Sequence, residues 1–307
     1  MREKEFISTI KTMLNSNYIG DDCAYLPDFG IVVTQDSLVE GVHFSLDYMT
    51  PYQLGYKSVM VNLSDVASSG ANPKYLTIAL SLPTNIDKNF IEEFYKGAQE
   101  ACGREIKIVG GDITGADKVY VSVSAIGATE YRKIASRKNA KVGYKVVVAG
   151  LHGSSAAGLR QLLSGNKSEN NFTKAHLEPV AQVEFGKNIG KNIQVDYAMM
   201  DTSDGLMDAL STIANESGVL LEVYFDKIPY DYHLVNFEDI QDLVLFGGED
   251  YGIVAVVPKD LDCGGVEIGE VKKGLGVDLR FGQNVTHYSK EDVENKIYNH
   301  FEGKNEI

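Results

Sequence analysis

The sequence predicts an α/β protein built of α+β layers and divided into two domains. Three observations carry this expectation. The chain has 307 residues, enough for two full hydrophobic cores. Apolar strand-like runs and segments with helical spacing mix in both halves. Between Glu130 and Val142 the composition changes, with Arg132, Lys133, Arg137, Lys138 and Lys141 clustered in an otherwise acidic chain. We therefore expect an N-terminal domain over residues 1–130 and a C-terminal α+β domain over 131–307. No internal repeat or low-complexity segment is seen.

In chain order, Phe6, Ile10, Met13 and Leu14 recur at helical spacing and predict a helix over 3–14. Gly20-Asp21-Asp22-Cys23-Ala24 and the following Ile31-Val32-Val33 read as a strand pair. The unbroken β-branched run fits a strand buried on both faces. Pro51 suits the first turn of a helix that carries Leu54, Val59, Leu63 and Val66 toward Gly70. Residues 75–82 read as a buried strand closed by Pro83. Phe90, Phe94, Ala98 and Ala101 place an amphipathic helix over 87–103, ended by Gly103. Residues 107–114 and 119–126 read as strands.

Beyond the boundary, 145–149 reads as a strand, 150–153 as a turn and 154–163 as a helix. Residues 165–175 look like a polar loop, and a helix is expected over 179–189. Met199-Met200 is strand-like, and Leu206, Leu210 and Ile213 begin a helix after Gly205. Residues 220–225, 251–257 and 266–271 read as strands.

Composition narrows the function. A net charge of −14 argues against nucleic acid or an anionic membrane as the main partner. Hydrophobic content of 44% and charged content of 23% are those of an ordinary globular protein. The three cysteines, Cys23, Cys102 and Cys263, form no C-x-x-C pair, which fits a reducing cytoplasm and offers no zinc site. No apolar run is long enough to span a bilayer, and the N-terminus has no apolar signal region.

Acidic groups recur where apolar elements end. Thr34-Gln35-Asp36-Ser37 closes the first β-branched run, and Asp65 lies late in an apolar helix. Asp112 follows Gly110-Gly111; Asp201 and Asp204 follow Met199-Met200; Glu249 and Asp250 follow Gly247-Gly248. Each has an ordinary reading by itself. Ser203 or Asp204 would cap the helix that begins at Leu206, Asp112 would sit in a turn, and His43 and Arg137 would be surface groups. Taken together, they suggest a rim of carboxylates. Two unit charges about 4 Å apart repel by roughly 4 kcal/mol at an effective dielectric of 20, so such a rim needs cations. Carboxylates and hydroxyls suit a hard ion such as Mg²⁺ held jointly with nucleotide phosphates. The usual phosphate motifs, G-x-x-x-x-G-K-[ST] and G-x-G-x-x-G, are absent.

These stretches resemble the thiamine-monophosphate kinase family, in the superfamily that includes aminoimidazole ribonucleotide synthetase. The likeness lies in Ile19-Gly-Asp-Asp-Cys-Ala24, Asp36-Ser-Leu-Val-Glu-Gly-Val-His-Phe44, Leu54-Gly-Tyr-Lys57 and Val61-Asn-Leu-Ser-Asp-Val-Ala67. It continues in Gly110-Gly-Asp112, Asp201-Thr-Ser-Asp-Gly-Leu206, Gly247-Gly-Glu-Asp-Tyr251 and, more faintly, Tyr298-Asn-His-Phe301. The resemblance implies a two-domain aminoimidazole ribonucleotide synthetase-like fold and a homodimer that pairs the N-terminal sheets. It also implies ATP-dependent phosphorylation of thiamine monophosphate to thiamine diphosphate, with Mg²⁺ at the acidic rim. Carried over position by position, Asp22, Thr34, Asp36, Asp65, Asp112, Asp201 and Asp204 are implied metal ligands. Gly111, Asp112, Arg137 and Ser203 are implied nucleotide contacts, and His43, Glu249 and Tyr298 implied substrate contacts. The chain departs from the family pattern at Gln35, in Ser136-Arg-Lys-Asn-Ala140, in His176-Leu-Glu-Pro-Val-Ala-Gln182, and at Gly252 after Tyr251. Two alternatives stay open: a diverged kinase for another small phosphate, and a non-catalytic nucleotide-binding paralogue.

Overall fold

The computed structural model describes residues 3–298. Helix α1 (Glu3–Leu14) precedes β1 (Ala24–Leu26) and β2 (Ile31–Val39). Then come α2 (Pro51–Ser68), β3 (Asn72–Leu82), α3 (Lys88–Cys102), β4 (Lys107–Gly115) and β5 (Tyr120–Ala128). These strands form one sheet in the order β1-β2-β5-β3-β4, antiparallel except for the β3–β4 edge pair.

The second half contains β6 (Lys145–Ala149), α4 (Ser154–Leu163), α5 (Asn171–Leu177), α6 (Val183–Asn192), β7 (Ala198–Asp201) and α7 (Leu206–Ser217). It continues with β8 (Leu220–Tyr224), α8 (Ile240–Phe246), β9 (Ile253–Val257), β10 (Val266–Lys272), β11 (Gly276–Phe281), β12 (Asn284–Tyr288) and α9 (Lys290–Glu294). Its seven strands are ordered β12-β11-β8-β10-β6-β9-β7.

Helix α2 is the hinge of the architecture. Thr50 caps it reciprocally: Thr50 Oγ1 accepts from the Gln53 N–H at 3.2 Å, and Gln53 Oε1 accepts from the Thr50 N–H at 3.1 Å. Pro51 presets the first turn. Leu54, Val59, Leu63 and Val66 are essentially fully buried against the five-stranded sheet. Each contributes roughly 1.5–3 kcal/mol of transfer free energy. From the same helix, Ala67 joins a separate core with Ile189, Tyr197, Met199 and Ile253 on the seven-stranded side. One helix thus packs on both halves of the chain.

Several expectations change. β2 is not buried on both faces: Val32 and Thr34 are buried while Gln35 is exposed, so the strand has one core face. The expected loop over 165–175 gives way at Asn171 to α5, which Asn170 caps through the N–H groups of Phe172 and Thr173. The next helix begins at Val183 rather than 179, because Pro179 cannot continue α5 and the chain stays irregular to Gln182. The hairpin β11–β12, turned at Gly282 with φ 58°, and helices α8 and α9 were not expected. The alternation in Val277-Asp-Leu-Arg-Phe281 was the available strand signal. Asn299–Phe301, the end of the faint C-terminal match, lies outside the described residues.

Candidate active site

Strand β2 presents Thr34 and Asp36 toward α2, the start of β1 brings Asp22, and α2 supplies Asp65 from its last turn. β7, from the other sheet, ends on Asp201. Carboxylate oxygens of Asp22, Asp65 and Asp201 all lie within 4.8 Å of one another. Hydroxyls hold each in place. Thr34 Oγ1 donates to Asp65 Oδ2 at 2.6 Å, and Ser64 Oγ donates to Asp201 Oδ2 at 2.8 Å. Ser68 Oγ donates to Asp22. The Asp36 N–H donates to Asn62 Oδ1 at 3.0 Å, which fixes β2 against α2 beside the cluster.

The electrostatics match this crowding. Burial and the neighbouring Asp22 push the Asp201 carboxyl up to about 8. Asp65 is raised well above the usual carboxylate range by burial and by Asp36, Asp201 and Asp22. Arg137 answers part of this charge. Its guanidinium is paired with Asp22 Oδ1, and although burial works against its charge, the Asp22 and Asp201 carboxylates outweigh burial and stabilise it. Asp21 positions Arg137 by accepting from its backbone N–H at 2.8 Å and from Ser136 Oγ at 3.1 Å.

Ser203 and Asp204 do not cap α7, whose N-cap is Gly205 without a side-chain hydrogen bond. Ser203 Oγ turns back to Asp201 Oδ1 at 3.1 Å. Asp204 is exposed at the rim, near enough to act on the Tyr251 hydroxyl together with Asp36 and Asp201. Gln35 faces away from the acids and links Ser122 and Ser124 at 3.1 and 3.0 Å. Two expected residues stand apart. Gly111 and Asp112 are in edge strand β4, not a turn, and β5 and β3 separate β4 from β2. Three strand spacings put Gly111 about 14 Å from Asp36 across the sheet. Within one chain, Asp112 therefore does not join the cluster. Tyr298 is exposed beyond α9, at the end of the described chain.

A second polar group lies where α2 meets the Gly247–Tyr251 loop. Lys57, fully buried, donates to the His176 carbonyl at 3.0 Å and to Glu249 Oε2 at 3.2 Å. His176 Nδ1 lies 3.3 Å from the same oxygen and 3.1 Å from Ser155 Oγ. Burial would raise the Glu249 carboxyl, but Lys57 and the neighbouring histidines His176 and His43 bring it below its ordinary value. His43 accepts the Val39 N–H on Nδ1 at 3.0 Å, which leaves its proton on Nε2. Asp250 accepts from the N–H groups of Gly153 and Ser155 at 2.5 and 2.9 Å and so caps α4. Gly252 has no room for a side chain: a Cβ there would sit 2.7 Å from the Ala149 carbonyl oxygen. Sequence reasoning assigned nothing to Lys57, Ser64, Ser68 or His176. The signal the sequence offers for Lys57 is its place in the Leu54-Gly-Tyr-Lys57 stretch.

Comparison with known proteins fits this geometry. Residues 20–129 match the family model for AIR synthase related protein, N-terminal domain. The thiamine-monophosphate kinase of Aquifex aeolicus is 36% identical over 299 residues, covering 90% of this chain and 95% of that protein. The Bacillus subtilis thiamine-monophosphate kinase is 32% identical over 303 residues, covering 92% and 93%. Among solved structures, AaThiL complexed with AMPPCP and TMP superposes with a TM-score of 0.83 at 34% identity, covering 94% of this chain and 97% of that one. The hydrogenase maturation protein HypE in complex with ATP, at 17% identity and a TM-score of 0.68, shares the fold. With relatives this similar matching over nearly their whole length, the chain belongs to the thiamine-monophosphate kinase family.

Proposed function

We propose that the protein transfers the γ-phosphoryl group of ATP to the phosphate of thiamine monophosphate, giving thiamine diphosphate and ADP. The observation that carries this reading is the three-carboxylate cluster drawn from both sheets. Its donor set of carboxylates and the Thr34 hydroxyl suits a hard divalent ion, and the raised Asp65 and Asp201 carboxyls mark charge that a cation would relieve. Asp22, Asp65 and Asp201 would hold Mg²⁺, with Thr34, Asp36 and Asp204 at its margin. Bound there, Mg²⁺ supplies charge neutralisation for the transferring phosphoryl group.

The chain's own residues then orient the reactants. Arg137 and Ser203 would hold the nucleotide phosphates. Glu249, kept ionised, and His43, with its proton on Nε2, would engage the thiamine end, with Tyr298 a further contact. An acceptor phosphate is already ionised at neutral pH, so direct in-line attack needs no general base and no phosphoenzyme.

Gly111 and Asp112 enter this reading through a homodimer. β4 exposes Val109 and Ile113, and Tyr75 and Tyr120 are exposed on β3 and β5. A second copy paired on the five-stranded sheet would cover these groups and carry Gly111 and Asp112 toward its own site. We place the domain division at 130/131, between the two sheets, and the protein in the cytoplasm, in keeping with three buried free thiols. Among the described residues no helix is long and apolar enough to cross a membrane.

The test is a product assay with ATP, Mg²⁺ and thiamine monophosphate, separated by chromatography. Thiamine diphosphate is expected in step with ADP. Mg²⁺-dependent ATP binding without that product would transfer the reading to another small phosphate acceptor, or to a non-catalytic nucleotide-binding role.

A further inference from the structure

Helix α2 carries two functional groups at once. Asp65 belongs to the acidic cluster. Lys57, eight residues earlier, grips Glu249. Eight residues of α-helix rise about 12 Å and turn through only about 80° beyond two full turns, so both groups leave similar sides of one rigid rod. The scale suits a ligand with a phosphate at one end and a recognised group at the other. We propose that Lys57 is a positioning residue that fixes the Glu249 carboxylate in register with the acidic cluster. The inference rests on the proposed role of Glu249 as a substrate contact.

Three observations support it. First, the Glu249 backbone does not hold its own place cheaply. It has φ 64° in a loop that follows two glycines, a conformation that costs a non-glycine residue of order 1 kcal/mol or more. Its N–H is tied to the Ser203 carbonyl at 2.7 Å, beside Asp201, but that bond leaves the side chain to be set by others.

Second, Lys57 and His176 both approach Oε2, and among the described residues Oε1 takes no hydrogen bond. The carboxylate is clamped by one oxygen and presents the other. Third, Lys57 has no side-chain exposure, and a buried ion pair is a poor source of stability compared with a well-packed apolar residue of the same length. A lysine used only for packing has no need to reach across from α2 to the loop after α8. Its second bond, to the His176 carbonyl, fixes the ammonium as well, so the clamp is anchored to α5 on the far side.

The test compares the full-length wild type with Lys57→Met, Lys57→Gln, Glu249→Gln and the Lys57→Met/Glu249→Gln double variant. We expect Lys57→Met to raise KM for thiamine monophosphate about tenfold while KM for ATP stays within about twofold. The double variant should be no worse than Glu249→Gln, because Lys57 acts through Glu249. A crystal structure of Lys57→Met should show the two sheets unchanged and the Glu249 carboxylate moved from its place. Lys57→Gln retains a donor for the His176 carbonyl and should show the same defect if Lys57→Met is insoluble.

Multiplying effects in the double variant, an equal rise in both KM values, or Glu249 unmoved in the crystal would each overturn the proposal. So would insolubility of both Lys57 variants, which would make the lysine structural. A wild type that does not turn over thiamine monophosphate would sink the kinase reading instead, while the crystal structure would still decide whether Lys57 places Glu249.

Discussion

The backbone N–H of Asp201, at the end of β7, donates to Asp22 Oδ2 at 3.3 Å, although 179 residues separate the two in sequence. Asp22 lies just before β1 of the five-stranded sheet, so this contact joins acids from the two sheets in one cluster. Ser64 from α2 completes the link by donating to the Asp201 carboxylate. The halves of the chain therefore meet through polar groups that a divalent ion would also use.

Replacing Asp201 by Asn should separate function from stability. Two carboxylates within 4.8 Å of each other repel by at least about 3 kcal/mol at an effective dielectric of 20. Asp201→Asn should raise the metal-free unfolding free energy in urea by about 1–2 kcal/mol, since part of that repulsion is already relieved by protonation. Turnover should fall by about 100-fold or more. A destabilised, fully active variant would contradict the assignment.

Divalent ion binding should depend on pH. With the Asp201 carboxyl raised to about 8, the metal-free fold binds more protons than the unfolded chain between about pH 4 and 8. Its stability therefore falls as pH rises through that window. Mg²⁺ must displace the proton, so its affinity, read by calorimetry, should strengthen about tenfold per pH unit between about pH 6 and 8 for one proton released. A flat profile would show that Asp201 is not a ligand.

His152 predicts an opposite acid response. It is wholly buried, neither ring nitrogen has a partner among the described residues, and burial lowers its pKa to about 4. Below about pH 6.5 the unfolded chain takes up a proton that the fold refuses, so stability drops as pH falls toward 4, by up to about 3 kcal/mol. In urea titrations from pH 7 to 4, His152→Leu should flatten that part of the slope. An unchanged slope would mean the ring is hydrated or paired.

Helices α2 and α3 touch through glycine. A Cβ on Gly55 would sit 1.9 Å from the Phe94 carbonyl oxygen, and one on Gly97 would meet the Tyr52 carbonyl oxygen at 1.9 Å. Gly55→Ala should cost about 2–3 kcal/mol by thermal or urea unfolding, despite the better helix propensity of alanine, because neither backbone can withdraw. A neutral effect would show that the helices slide apart freely.

The sequence by itself determined the mixed α/β class, the helical run ending near Gly70, and the carboxylates at the ends of apolar elements. Those features are local: Pro51, the spacing of Leu54, Val59 and Val66, and the Met199-Met200-Asp201 run carry their signals within a few residues. The structure supplied what depends on register and on long-range packing. Pleating turns Gln35 away from Thr34 and Asp36, a one-residue alternation that composition does not reveal in an unbroken apolar run. Strand order, set by pairings across the sheet, leaves Asp112 on the far edge although its motif reads like the others. Lys57 stands in a motif visible from the sequence, but its partner Glu249 is 192 residues away and becomes its neighbour only when α2 packs against both halves. Hydrophobic periodicity assigns faces to elements; it carries no term for which polar groups those faces bring together.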